Sequence, residues 1–108
     1  MTETSFAAGQ VVTVFRSRLP ATARAEYDPM AAEMSSLAAA MPGFVDAKVF
    51  TAADGERATL VTFADRASHD AWRTYPRHRV AQRRGREAFY DAFSLQVCEC
   101  TSVTVFTR

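Results

Sequence analysis

Apolar and polar positions along the first 40 residues predict a strand followed by a helix. Residues 10–19 (QVVTVFRSRL) are rich in Val, Thr and Phe and stop at Pro20, which is typical of a strand. Residues 21–41 are dominated by Ala, Met, Glu and Leu and end at a Pro-Gly pair, which indicates a helix. We expect an interruption near Asp28-Pro29, because proline disfavours helical backbone in the residue before it. An apolar stripe at spacings of three or four follows this helix: Tyr27, Met30, Met34, Leu37 and Met41.

The next segment predicts a β-hairpin. Strands are expected at about 44–52 and 57–64, and Asp54-Gly55 between them is a strong hairpin signal. Asp65 or Ser68 then caps a short helix.

The last third predicts a second short helix and a final strand. Pro76 suits the first turn of a helix that runs toward Gly85. Residues 93–106 (FSLQVCECTSVTVF) are expected to form one long strand. The order strand, helix, strand, strand, helices, strand is that of an α+β, ferredoxin-like split βαβ fold with an antiparallel four-stranded sheet. We expect a single domain over 1–108, with its core at about 10–106.

Both faces of the predicted sheet carry apolar residues. On the first strand Val11, Thr13, Phe15 and Ser17 alternate with Val12, Val14, Arg16 and Arg18, and both sets are largely apolar over their first half. A sheet with helices on one side only should have one polar face. The pattern therefore predicts that a second subunit covers the open face, which makes the protein a homodimer.

Composition narrows the functional classes. The net charge is +1, from 13 basic and 12 acidic side chains, which argues against a dedicated nucleic-acid binder. No apolar run is long enough to span a membrane, and the start of the chain (MTETSFAAGQ) lacks the features of a signal peptide, so a cytoplasmic location is expected. Cys98 and Cys100 are more typical of ordinary strand cysteines than of a metal or redox site, and no metal is expected.

Residues 77–86 (RHRVAQRRGR) hold five arginines. On a helix, the arginines at 79, 83 and 84 spread over an outward face, while His78, Ala81, Gln82 and Gly85 gather on the other. A solvated surface is the preferred interpretation, since the interleaved aromatics of a single-strand binder are missing. The inner face has no bulky apolar residue, which indicates a small-molecule cavity near Trp72 and Tyr90. A hydrogen-bonded structural role for His78 and a core role for Trp72 remain open alternatives.

Four stretches resemble a known family: VFRSRL (14–19), AMPGF (40–44), AADGE (52–56) and, most specifically, AWRTYPRHRVAQRRGREAFYDAF (71–93). They are similar to the antibiotic biosynthesis monooxygenase family. The resemblance implies ferredoxin-like subunits that pair sheet to sheet as a dimeric α/β barrel. Some members oxidise phenolic polycyclic compounds to quinones with O₂ and without metal, flavin or haem. Others bind haem and break its ring, and many have no assigned reaction.

The resemblance implies a small cofactor-independent monooxygenase that oxidises a phenolic or polycyclic aromatic substrate. His78 is the expected proton acceptor, Trp72 stacks on the rings, Gln82 donates to a developing phenolate, and Arg86 stabilises the anion. The expected substrate-binding residues are Arg16, Tyr27, Phe63, Tyr75, Phe89 and Tyr90. Because side chains alternate between the two faces of a strand, Arg16 has the alternative of facing the dimer partner. For Tyr27 and Tyr75, the alternative is packing in the core.

Haem binding is an alternative that the resemblance leaves open. Haem-degrading members carry the ligating histidine about ten residues after the tryptophan, and that position here is Gln82. Haem-degrading members also carry an asparagine on the first strand, whereas the first strand here offers Phe15, Arg16 and Ser17 and no asparagine. His78, six residues after Trp72, lies one helical turn before Gln82 and is the haem ligand in this reading. A non-catalytic dimer that binds a small molecule is the third possibility.

Overall fold

The computed structural model describes residues 5–108 and consists of a four-stranded sheet with helices on one side. The sheet has the order β2-β3-β1-β4, and all neighbouring strands are antiparallel. The predicted ferredoxin-like α+β fold is therefore confirmed. In chain order the elements are β1 (Val11–Arg18), a 3₁₀ turn (Ala21–Ala23), α1 (Arg24–Ala40), β2 (Phe44–Thr51), β3 (Arg57–Phe63), α2 (Arg66–Arg73), α3 (Pro76–Arg84), a π-helical turn (Gly85–Phe89) and β4 (Ala92–Glu99).

The strand register separates two faces, which we call the helix side and the open side. Val11 pairs with Phe63, and Phe63 packs beneath the helices with Ala38 and Trp72. Since side chains alternate along a strand, Val11, Thr13, Phe15 and Ser17 lie on the helix side. Val12, Val14, Arg16 and Arg18 lie on the open side.

The core lies between α1, α2 and β3. Ala38, Phe63 and Trp72 are buried there, and Met34, Leu37, Met41, Phe44, Val61 and Tyr75 pack around them. Three members of the predicted methionine-rich stripe thus belong to the core. Another member, Met30, instead lines a groove between α1 and α3.

The expected break at Asp28-Pro29 is wrong. α1 continues through Pro29, which is its sixth residue. Proline has no N–H and removes one hydrogen bond from the helix. Burial of Tyr27 before the proline and of Ala38 after it holds both parts of the helix on the sheet. Tertiary packing therefore outweighs the local preference.

The predicted turns and caps are present. Gly55 has φ +92° in the β2–β3 hairpin, a conformation that favours glycine. Asp65 caps α2: its Oδ1 accepts from the Ser68 N–H at 2.8 Å, and the Ser68 hydroxyl lies 3.3 Å from the Asp65 N–H. Pro76 begins α3 as expected.

The final strand is shorter than the predicted 93–106. β4 ends at Glu99, and one further pair of backbone hydrogen bonds joins Cys100 to Gly9 and Gln10. Residues 101–108 have no neighbouring strand in the single chain, so their alternating pattern alone does not make a strand. Within residues 5–108 no helix is long and apolar enough to cross a membrane.

Candidate functional site

Trp72, Tyr75 and His78 form a stack where α2 meets α3. The Trp72 indole is buried, and the His78 ring lies parallel to it, with ring centres 4.0 Å apart and planes 11° apart. Tyr75 stacks on Trp72 at 5.9 Å and 27°. Because Pro76 starts α3 directly after the short connection, His78 falls in the first turn and folds back over the indole.

One hydrogen bond decides which nitrogen of His78 carries the proton. Nδ1 lies 3.0 Å from the Trp72 carbonyl oxygen, which only accepts, so Nδ1 is the donor. Nε2 is then the nitrogen without a proton in the neutral ring. Burial lowers the pKa of His78 below its ordinary value, and this outweighs the bond to Trp72, which raises it. The site therefore holds a neutral imidazole at pH 7.

Gln82 lies one turn after His78 and joins α3 to the end of α2. Its Nε2 donates to the Arg73 carbonyl oxygen at 3.4 Å and lies 3.5 Å from Nδ1 of His78. Nδ1 of His78 already donates its proton to the Trp72 carbonyl oxygen and therefore does not accept from Gln82. The Gln82 amide accordingly donates to the Arg73 carbonyl oxygen. The structure does bring Gln82, His78 and Trp72 together, as the sequence analysis expected.

A second aromatic group contains Tyr27 and Tyr90. The Tyr90 hydroxyl donates to the Tyr27 oxygen at 3.1 Å. Burial, followed by this hydrogen bond, raises the pKa of Tyr90 well above its usual range, so it is a neutral donor. Phe89 packs edge-on against Tyr27, and Phe15 packs edge-on against Tyr90. Three of the predicted substrate-binding residues therefore lie together.

The space predicted beside Gly85 is filled by this group. A Cβ added to Gly85 would lie 2.6 Å from Cε2 of Tyr90, so the ring occupies the volume that glycine leaves free. The π-helical turn brings this about, because the Tyr90 N–H donates back to the Gly85 carbonyl oxygen at 3.0 Å. The expected cavity at this point of α3 is wrong.

An open apolar trough lies elsewhere, on the helix side of β4. Phe93, Leu95 and Val97 alternate on that side and are 45%, 52% and 42% exposed. They lie next to Thr13 and Phe15 of β1 in the register of the sheet. These five residues are called the β4 trough here. Tyr90 contacts its Phe15 end at 5.2 Å between ring centres.

His69 is a functional candidate that the sequence analysis missed. It is buried between α2 and β1, with Nε2 at 3.2 Å from Thr13 Oγ1 and Nδ1 at 3.0 Å from Asp70 Oδ1. Two sequence features indicate this residue. His69 precedes Trp72 by three residues, which places both on one face of α2, and Thr13 lies on the same face of β1 as Phe15.

Three predicted site residues lie away from the aromatic groups or serve as packing. Arg16 lies on the open side and binds Glu56 through Nε at 3.0 Å and Nη2 at 2.6 Å. Arg86 is exposed in the π-helical turn. Phe63 is 1% exposed in the core behind Trp72. Arg57, which was not predicted, places a guanidinium 5.6 Å from the Tyr27 ring centre.

The arginine-rich stretch forms the outer surface of α3. Arg77 binds Glu33 through two nitrogens, and Arg84 lies 3.7 Å from Glu26. These pairs join α3 to α1 and border the ≈260 Å³ groove between the two helices. Arg79 and Arg83 are exposed. Over the described range 5–108, no three His, Cys, Asp or Glu side chains form a cluster that could hold a metal ion.

Comparison with known families agrees with this architecture. The family model described as antibiotic biosynthesis monooxygenase matches residues 10–84. The chain belongs to this family. A curated relative, the uncharacterized protein YqjZ of Bacillus subtilis, is 29% identical over 80 residues, which are 74% of this chain and 70% of that protein.

Solved structures show the same fold. SnoaB, a cofactor-independent oxygenase from Streptomyces nogalater, superposes with a TM-score of 0.74 at 18% identity, over 89% of this chain and 97% of SnoaB. Rv0793 from Mycobacterium tuberculosis gives 0.77 at 18% identity, over 89% of this chain and 99% of that one.

Proposed function

We propose that the protein is a cofactor-independent monooxygenase that oxidises a phenolic or polycyclic aromatic compound with O₂. The observation that carries this proposal is the neutral His78, stacked on Trp72 and fixed by its Nδ1–H bond so that Nε2 is a base. Membership of a family of monooxygenases and the fold shared with SnoaB support it.

The chemistry needs little from the protein besides a base and an apolar surface. A deprotonated, electron-rich ring passes electrons directly to O₂. His78 accepts a proton from the substrate, and its lowered pKa keeps it unprotonated at neutral pH. The β4 trough and the aromatic rings beside it offer a flat apolar surface on which the rings of the substrate can lie.

The remaining side chains have supporting roles in this proposal. Trp72 and Tyr75 hold the His78 ring in place. Tyr90 forms the wall at the Phe15 end of the trough, and the buried rings of Tyr27 and Phe89 support it from behind. Gln82 donates to the Arg73 carbonyl oxygen and Arg86 is exposed in the π-helical turn, so neither is assigned to a substrate anion in this proposal. Arg16 is tied to Glu56 on the other face, and we assign it to a subunit contact.

Isotope labelling tests the reaction class. With 1-naphthol as a fused-ring phenol and ¹⁸O₂ as oxidant, the wild-type protein should form 1,4-naphthoquinone that carries one ¹⁸O atom, with water as the second product. Unlabelled quinone, or hydrogen peroxide equal in amount to the quinone, would contradict oxygen insertion. The same assay is repeated with other fused-ring phenols.

Haem binding is the second candidate, and the same hydrogen bond favours it. A histidine that donates from one ring nitrogen to a backbone carbonyl presents the other nitrogen as a ligand, the pattern usual for metal-binding histidines. A haemin titration decides between the two roles. A saturable Soret shift of one haem per chain, lost in His78→Ala, supports haem; absence of a specific shift leaves His78 as the base.

We also propose that the protein is a homodimer that pairs through the open side of the sheet. Val12 and Val14 lie there without a covering helix, and Phe50 is 50% exposed on the same side. Beyond β4, Val103, Val105 and Phe106 add exposed apolar surface at 37%, 69% and 77%. A surface of this kind is typical of subunit contacts.

Sedimentation tests the dimer. The wild-type protein should sediment as a dimer, and Val14→Glu on the open side should shift it to monomer at the same concentration. Glu87→Lys, an exposed change on the helix layer, is the control and should leave the dimer intact. A wild-type monomer at micromolar concentration would contradict this assembly.

A further inference from the structure

His69 is a buried histidine to which the proposed function gives no role. Its exposed fraction is 5%, and it bridges Thr13 on β1 and Asp70 on its own helix. The Asp70 side chain is 48% exposed. The three groups therefore form a continuous path from the floor of the β4 trough to the solvent-facing surface of α2.

The hydrogen bonds of this path are satisfied in two protonation states. Asp70 is a carboxylate, because the hydrogen bond from His69 and the charges of Arg66 and Arg73 lower its pKa, and it only accepts. Nδ1 of His69 therefore donates in either state. In the neutral ring Nε2 accepts from the Thr13 hydroxyl, and in the imidazolium Nε2 donates to the Thr13 oxygen.

Protonation of His69 thus reverses the role of Thr13. With neutral His69, the Thr13 hydrogen points to Nε2, and the lone pairs of Oγ1 are available to a donor in the trough. With protonated His69, Oγ1 accepts from Nε2 and the Thr13 hydrogen is released toward the trough. The first state suits a substrate O–H and the second suits the oxyanion that remains after its proton is lost.

Thr13 is the polar residue among the otherwise apolar residues of the β4 trough. It is half-buried, and its pairing partners on the two neighbouring strands are Val61 and Val97. Two residues along β1, Phe15 continues the trough toward Tyr90. An aromatic substrate that lies on Val97 and Phe15 therefore has the Thr13 hydroxyl beside it, as a hydrogen-bonding partner for its own hydroxyl group.

We propose that Thr13, His69 and Asp70 recognise a substrate hydroxyl and take up its proton, so that the substrate is a hydroxyarene bound with its O–H against Thr13. This inference rests on the proposed oxygenase function and names the residues that bind and ionise the substrate hydroxyl. The substrate proton moves to Thr13 Oγ1 while the Thr13 proton moves to Nε2 of His69. The resulting imidazolium is stabilised by the Asp70 carboxylate, and the phenolate accepts a hydrogen bond from Thr13.

Two proton acceptors match the stoichiometry of the reaction. A phenol with a free para position reacts with O₂ to a quinone and water, and it loses one O–H and one C–H proton. One oxygen atom forms the new carbonyl bond, the O–O bond breaks, and the second atom leaves as hydroxide. The proton held on His69 passes to the peroxide that O₂ forms at the para carbon, so that hydroxide leaves when the O–O bond breaks. His78 takes the C–H proton in that step, and this proton then converts the hydroxide to water.

Counted over the whole cycle, both substrate protons end in the water molecule. The neutral phenol and O₂ enter, and the neutral quinone and one water leave: for 1-naphthol, both hydrogens lost from the ring and its hydroxyl appear in that water. The ring supplies four electrons and O₂ accepts them. Both histidines are neutral again at the end, so no further oxidant or reductant is needed.

Anaerobic binding of 1-naphthol tests the relay without turnover. The absorbance change of naphthol to naphtholate, followed against pH in the presence of excess protein, gives the pH at which the bound hydroxyl ionises. In Thr13→Val and His69→Gln this pH should rise by about one unit or more, a tenfold loss in the ionisation equilibrium. Thr13→Ser keeps the hydroxyl and should restore the wild-type value.

Two further variants separate the relay from the fold. Asp70→Asn alters a partly exposed side chain, keeps an oxygen acceptor and removes the charge, and it should shift the ionisation in the same direction. Thr51→Val, on the far strand β2, and Asp28→Asn, exposed on α1, are matched controls and should behave as the wild type. The other ionisable groups around His69 are Arg66, Arg73 and His78, and all are unchanged in these variants.

The outcomes distinguish this inference from the proposed function. Equal ionisation in the wild type and in Thr13→Val would overturn the relay, whatever the oxygenase activity. The predicted shifts with no quinone formed on admission of air would support the relay and overturn the monooxygenase. If 1-naphthol and other fused-ring phenols do not bind the wild-type protein, both proposals fail.

Discussion

Replacing His78 by glutamine should lower kcat for phenol oxidation by about 10²–10⁴-fold, the usual contribution of a general base. Glutamine is polar and of similar size, so the stack on Trp72 is largely kept while the unprotonated Nε2 is lost. The measurement is the steady-state rate of O₂ consumption with a fused-ring phenol at saturating concentration. Arg79→Gln, an exposed change one residue away, is the matched control and should keep wild-type turnover.

The pH dependence provides the second half of this prediction. Burial lowers the pKa of His78, so the folded protein binds fewer protons here than the unfolded chain does. Activity should therefore be retained at neutral pH and fall only below about pH 6.5, the ordinary histidine value. Stability should decrease in the same direction, as pH falls from the unfolded toward the folded pKa. Unchanged kcat in His78→Gln would contradict the assignment of His78 as the base.

Replacing Trp72 by alanine should give the largest loss of stability. The indole is 7% exposed, packs with Ala38 and Phe63, and carries the stacked rings of Tyr75 and His78. Truncation of a buried aromatic side chain of this kind costs about 3–5 kcal/mol of unfolding free energy. Urea denaturation followed by circular dichroism measures this loss.

The phenylalanine variant separates the structural from the chemical role of Trp72. Trp72→Phe keeps an aromatic ring for His78 and should lose less than half of the stability lost by alanine, with activity reduced rather than abolished. A Trp72→Ala protein with wild-type stability would show that the stack does not hold α2 and α3 to the sheet.

The elements were predictable because their local signals agree with the fold. Asp54-Gly55 determines the hairpin, Asp65 and Ser68 form the cap of α2, and Pro76 starts α3, each through short-range geometry. The exceptions depend on distant contacts. α1 continues through Pro29 because residues on both sides of it pack on the sheet, and residues 101–106 lack a strand because nothing pairs with them in one chain.

The candidate site was predictable only in part, for a similar reason. Helical spacing was enough to bring Trp72, His78 and Gln82 together, since they are close in sequence. His69 and Thr13 meet across 56 residues, a contact that no local pattern reveals. The filling of the Gly85 space by Tyr90 depends on a π-helical turn, and helical projection at 100° per residue does not anticipate such a turn.

Cofactor-independent oxygenation is tested by O₂ consumption of the metal-stripped protein with a panel of fused-ring phenols, in the presence and absence of EDTA. We expect substrate-dependent O₂ uptake that yields quinone, is unchanged by EDTA and is nearly abolished in His78→Gln. Loss of activity on chelation, or no uptake with any phenol that binds, would contradict a cofactor-independent oxygenase.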